Sequence, residues 1–196
     1  SLVRTIRPDD PSAFFVEQRN RVVVVRKDLM VPEGGQPIAV TTPQPGRLPR
    51  PVEDIPAVLA LSNGDRLVSD KDQKSVLRYS PQTKFVAPFL SNTNTERMAR
   101  SEVDDVAVYD RDAKVIVMVD RDARPLGKIA LKGSNYAIGE VRDMAFDRLG
   151  HLYVLDGGKP SIVVFGPRNR LVTTISGPLQ RPRAIALDAS GRLQVF

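Results

Sequence analysis

The chain has 196 residues, 41% of them apolar and 27% charged, and no apolar run, Val22–Val25 included, approaches the roughly 20 residues of a membrane span. The absence of cysteine excludes disulfides, thiolate zinc sites and a cysteine nucleophile, and a single histidine argues against His-rich metal sites. A net charge of +6 would draw acidic partners or nucleic acid, yet acidic residues are interspersed with the 29 Lys and Arg almost everywhere, so the plainer reading is a solvated, mildly basic surface.

Ser1–Arg7 lacks the apolar stretch and the small-residue cleavage site of a secretory leader, and the chain starts without Met, as a processed or partial chain does. Phe14–Val25 reads as a hairpin that fits the downstream repeats in two registers. One sets Gln18–Arg21 against Pro167–Arg170; the other sets Asn20 against Gly64. Nine of the sixteen prolines precede Ala57, concentrated in Thr41–Pro51. Proline there excludes a helix or a central strand and predicts a linker or an extended strap. Its Arg47 and Arg50 are either an incidentally basic connection or contacts for a partner. Residues 1–56 are therefore expected as a divergent hairpin plus a Pro-rich linker or strap.

Residues 57–196 carry a repeat. Three segments superimpose without gaps around an aspartate: Arg66–Asp70, Val106–Asp110 and Leu152–Asp156. Asp70, Asp110 and Asp156 lie 40 and then 46 residues apart. Six residues after each comes Val76, Ile116 or Ile162; nine after it, Tyr79, Val119 or Phe165; nineteen after it, Phe89, Ile129 or Ile175. Six residues before the first and third aspartates sit Gly64 and Gly150, with Asp104 at the middle position. Glycine and asparagine supply the positive φ of tight hairpins. Arg183–Asp188 and the following Gly191 copy Arg142–Asp147 and Gly150, and the chain stops at Phe196 inside that unit.

Each unit reads as four short strands, for example Arg142–Phe146, His151–Leu155, Ser161–Phe165 and Leu171–Ile175, with no amphipathic helix between them. The expected fold is all-β: a β-propeller of four-stranded blades at about 57–90, 97–131 and 141–175 and a partial one at 183–196. With the first hairpin this makes four to five blades; a β-sandwich is the alternative.

The run Val141-Arg-Asp-Met-Ala-Phe-Asp-Arg-Leu-Gly-His-Leu-Tyr-Val-Leu-Asp156, followed by Ile162-Val-Val-Phe165, resembles an NHL-type propeller repeat. The resemblance covers Ile55–Phe196 and departs from the pattern at Asp104. It implies a ring of six blades, of which this chain would be a fragment, and a fold that serves protein-interaction modules, RNA binders and some enzymes. The family's habits also point to a bacterial envelope, periplasmic or secreted protein.

The loops leaving the second strands and the connections between units share one face of a propeller. That face is expected to bind through Lys71, Lys74, Arg111, Lys114, Lys159, Arg181 and Arg183, toward a protein partner or nucleic acid within a larger complex. Tyr136 is the main candidate for stacking a base. Asp70, Asp110 and Asp156, recurring once per blade, are spread around the ring and read as structural caps together with Gly64, Gly150 and Gly191. A lactonase-like enzyme would carry a channel metal, for which Asp104, Asp105 and Asp143 are the nearest candidates, but adjacent residues on one segment cannot encircle an ion. His151 shows no triad-type Ser or Asp pairing, and Gly157–Lys159 lacks the rest of a phosphate-binding loop. No metal site, catalytic residue or cofactor is assigned. The leading expectation is a non-catalytic binding or scaffold module; the alternatives are a lactonase-like or lyase-like enzyme with metal ligands in missing blades and an RNA-binding propeller.

Overall fold

The computed structural model describes residues 13–16, 22–26, 29–32, 36, 38–44, 47–52, 54–177, 179, 181–188 and 190–196. Among the described residues the regular structure is all strand apart from a short 3-10 turn at Pro167–Asn169. Blade I comprises β1 (Ala13–Val16), β2 (Val22–Arg26), β3 (Leu29–Pro32) and β4 (Ile38–Ala39), antiparallel in chain order. A two-stranded ribbon follows, β5 (Thr41–Gln44) with β6 (Arg47–Pro51). Blade II is β7 (Val58–Ala60), β8 (Arg66–Asp70), β9 (Ser75–Tyr79) and β10 (Phe85–Ser91). Blade III is β11 (Thr95–Arg100), β12 (Val106–Asp110), β13 (Val115–Val119) and β14 (Pro125–Ala130). Blade IV is β15 (Val141–Phe146), β16 (Leu152–Asp156), β17 (Ser161–Gly166) and β18 (Arg170–Ser176), and β19 (Ile185–Leu187) pairs with β20 (Leu193–Val195) as the start of blade V.

The first strands stand side by side, β1 by β7, β7 by β11, β11 by β15 and β15 by β19. This is the radial order of a β-propeller, and it makes β1–β2 the inner pair of blade I. Only the register that sets Asn20 against Gly64 is compatible with that; Asn20 itself lies outside the described residues.

Strand side chains alternate between two faces, and here each face meets a different neighbour. Val76, Ile116 and Ile162 are fully buried and pack toward the next blade, whereas Tyr79, Val119 and Phe165 pack toward the preceding one. Burial of each such side chain contributes roughly 1.5–3 kcal/mol, so the apolar offsets in the repeat are what hold blade to blade. The exception is Ile175 on the outer strand β18, which is 39% exposed.

In blades II to V the turn between first and second strands closes the same way: Gly64, Asp104, Gly150 and Gly191 have φ of +87°, +64°, +79° and +79°, and each donates its N–H to the carbonyl of the residue three before it. Asp104 tolerates this conformation because its carboxylate has partners. Buried to 2% exposure, it accepts from the Ser62 N–H at 3.0 and 3.1 Å, from the Ser62 hydroxyl, and from Arg100 at 3.2 Å. It thereby ties the turn of blade III to that of blade II.

Thr41–Pro51, expected as a linker or extended strap, is instead the β5–β6 ribbon. Pairing skips Pro43 and Pro49 at a register shift, and each strand of a ribbon has an outer edge where a missing N–H breaks nothing. The adjoining Val40, Val52 and Ile55 are fully buried with Val68, Leu77 and Tyr79, so the ribbon's base is part of the core between blades I and II.

Candidate functional site

The seven cations expected on the loop face divide into two groups. Three are neutralised within the chain: Lys71 Nζ lies 2.7 Å from Asp54, Lys74 Nζ 2.7 Å from Asp112, and Arg111 2.6 Å from Glu96. The Lys74 ammonium and the Asn94 amide hold the Asp112 carboxyl below the usual carboxylate range. Lys114, Lys159, Arg181 and Arg183 have no carboxylate partner among the described residues. Arg50, from the Pro-rich segment, turns inward and donates to Asp70 Oδ2 at 2.6 Å, latching the ribbon to blade II. Burial still leaves Asp70 raised above the ordinary carboxylate value, although the Gln73 N–H and Arg50 oppose it.

The unpaired arginines sit at a groove of about 770 Å³ between blades IV and V. It is lined by Arg142 from β15, by Asp156 and Gly157 at the end of β16, and by Leu179, Arg181, Pro182 and Arg183 from the connection to β19. Arg142 is the residue that sequence reasoning missed. Nothing in its strand pattern marks it, because its surroundings are built by a connection some forty residues downstream. Gly157 makes room for it: a Cβ there would lie 2.8 Å from Arg142 Nε and 3.0 Å from Glu140 Oε2. Glu140 is the nearest acid to Arg142, at 3.6 Å.

Asp156 makes no ion pair with the arginines. Its carboxylate accepts from the Gly139, Glu140 and Gly158 amides at 2.8–3.1 Å, joining the loop after β16 to the connection that enters blade IV. Asp110 caps its own loop, accepting from the Asp112 and Ala113 amides at 3.1 and 3.2 Å. In the loop Gly157–Lys159 the first two amides are already engaged, Gly157 with Glu140 O and Gly158 with Asp156, so the loop presents no free pair of donors to a phosphate.

Toward the ring axis, Asp143 accepts from its neighbour Met144 N–H and from Ile185 N–H of blade V, both at 2.9 Å, and burial raises its proton affinity. Arg97, at the matching position of blade III, donates to Arg142 O at 2.8 Å. With Asp104 committed to Ser62 and Arg100, the candidate metal carboxylates do not converge. Among the described residues no group of three or more acidic or His side chains is placed to hold an ion.

Two further expectations are corrected. His151 does have an aspartate: Nδ1 lies 2.7 Å from Asp147 Oδ2, because the turn closed by Asp147 N–H to His151 O brings residues four apart together. Burial pushes the Asp147 carboxyl up, but the His151 N–H and imidazole outweigh it and hold it below the usual range. The signal was legible as Asp147 four residues ahead of His151. The pair lies on the face opposite the loops, beside a second groove of about 460 Å³ with Val103 and Leu149 exposed on its rim. Tyr136 is not free to stack a base: its ring meets Phe165 edge-on at 5.0 Å and its hydroxyl donates to Ala130 O at 2.9 Å.

No family model matches the sequence, and no curated protein matches it. Solved structures do. A streptogramin B lyase superimposes with a TM-score of 0.73 at 12% identity over 94% of this chain and 61% of that one. The virginiamycin B lyase from Staphylococcus aureus gives 0.67 at 14% over 93% and 61%, and a gluconolactonase from Xanthomonas campestris 0.69 at 15% over 93% and 67%. The chain shares their propeller fold. It spans about three fifths of the length of the two lyases.

Proposed function

We propose that the chain forms part of an enzyme ring of the lyase and lactonase type, whose loop face receives a small molecule bearing a lactone or similar cyclic ester. The observation that carries this reading is the groove of about 770 Å³ between blades IV and V, beside an inner strand. Its size suits a small-molecule ligand. Likeness to lyases and a gluconolactonase supports it, at identities of 12–15% that speak to fold. The finer NHL-type assignment rests on the repeat motif alone and belongs to the same proposal. Opening a cyclic ester leaves a carboxylate, and guanidinium donors beside the groove stabilise that developing charge whether the ring opens by hydrolysis or by elimination. The described carboxylates do not fit a metal, so no step is assigned to one.

The test is incubation of the purified protein with a panel of sugar lactones and virginiamycin B, read by mass spectrometry. Ring opening with a gain of one water identifies a lactonase; a ring-opened product of unchanged mass carrying a new alkene identifies a lyase. No ring opening across the panel contradicts the proposal. The second reading, a non-catalytic binding module, is favoured by the exposed Val103 and Leu149 on the rim of the opposite groove. That reading expects no turnover in the same assay.

A further inference from the structure

Resting on this reading of the loop-face groove, we infer that the groove between blades IV and V holds an anionic group, a carboxylate or phosphate, on its small-molecule ligand. Three arginines line it, Arg142, Arg181 and Arg183. Arg181 and Arg183 have no ion pair or other side-chain partner among the described residues, while Arg142 meets Glu140 only at 3.6 Å. Asp156, the one carboxylate in the wall, is turned onto three backbone amides and makes no ion pair with an arginine, so the wall carries three arginines against one carboxylate.

Among the described residues Lys114 and Lys159 are unpaired as well, but the other cations expected on the face are not. Around blades II and III, Lys71, Lys74 and Arg111 each meet a carboxylate at 2.6–2.7 Å, so a basic composition alone does not produce an unpaired cluster. The backbone also aims the two arginines. Arg181 adopts φ of +49°, Pro182 is buried, and Arg183 is anchored through its N–H to Phe196 O. A buried proline between two exposed arginines fixes their spacing, and the planar forks of guanidinium match carboxylate or phosphate oxygens in pairs.

The experiment measures equilibrium binding by calorimetry of three related probes: gluconate, glucose 6-phosphate and uncharged glucose. The protein is tested as wild type, as Arg181→Ala/Arg183→Ala, and as the control Lys71→Ala/Lys74→Ala. The expected result is binding of one or both anions, at least about tenfold weaker binding of glucose, and a loss of about tenfold or more in the arginine variant alone. Preference between the two anions separates a carboxylate site from a phosphate site. Because both arginines are exposed, thermal melts should coincide for all three proteins, which separates lost binding from lost folding. The inference is overturned if neither anion binds, if glucose binds equally well, or if the lysine control loses as much. Anion binding without ring opening would instead sink the enzymatic reading and leave this one standing; ring opening of neutral lactones with no anion preference would do the reverse.

Discussion

The junction between blades II and III and that between blades IV and V are built from the same repeat yet end differently. At the first, Leu61, Leu67, Val76 and Phe89 interleave with Val106, Val108 and Val119, Asp104 ties turn to turn, and Lys74 reaches Asp112 across the gap. At the second the buried set is Leu155, Ile162, Val164 and Ile185, the polar tie is Asp143 to Ile185 N–H, and Ile175 is left 39% exposed. The first junction compensates its charges within the chain, whereas the second keeps arginines facing an open groove. One repeat therefore supplies both a sealed seam and a seam that opens on a groove, and the difference lies in the residues between the strands.

The largest expected effect compares matched positions at the two seams. Phe89→Ala should cost about 3 kcal/mol in urea denaturation, as large-to-small changes at buried aromatic positions do. Ile175→Ala, at the same offset but partly exposed, should cost under about 1 kcal/mol. Equal losses would break the comparison. Next, Asp104→Ala should cost about 2–3 kcal/mol, since it strands the Ser62 donors and leaves a β-carbon at φ of +64° without a compensating contact. Asp104→Gly should cost less, because Gly64 and Gly150 occupy that conformation in the flanking blades.

The third prediction concerns pH. Burial raises the Asp143 carboxyl above its ordinary 3.8, so the folded state binds this proton more tightly than the unfolded chain. Its contribution to stability therefore falls as pH rises from about 3.8 through the raised value, and is constant above it. Melting curves of wild type and Asp143→Asn across that window should converge toward the acid end and separate above it. A constant difference would contradict the assigned burial. The smallest effect belongs to the exposed Lys74–Asp112 pair: Lys74→Ala should leave the denaturation midpoint unmoved within error, as isolated surface pairs generally do.

The blades were legible because their determinants are local and periodic. Val76, Ile116 and Ile162 recur at one offset since that strand position always faces the next blade, and Gly64 and Gly150 recur since the turn always needs positive φ. The Pro-rich ribbon was not legible: prolines rule out a central strand, but a ribbon with open edges accommodates them, and the packing of Val40 and Val52 beside Tyr79 is long-range. The candidate site was half legible. Charge could be read, but its compensation could not, because Lys71 finds Asp54, Arg111 finds Glu96 and Lys74 finds Asp112 at separations of 17, 15 and 38 residues.

By itself the sequence determined the repeat unit, its four strands and the apolar positions that recur at fixed offsets, because strand periodicity and turn geometry act over a few residues. Only the tertiary structure decided that β1 is an inner strand, that Asp104 is a clamp, and that Arg142 joins Arg181 and Arg183 at one groove. Those outcomes depend on which segments the ring brings together. Electrostatic pairing operates across a few ångströms of space regardless of chain separation, so the same basic residues become neutral seams in one place and an open cationic wall in another.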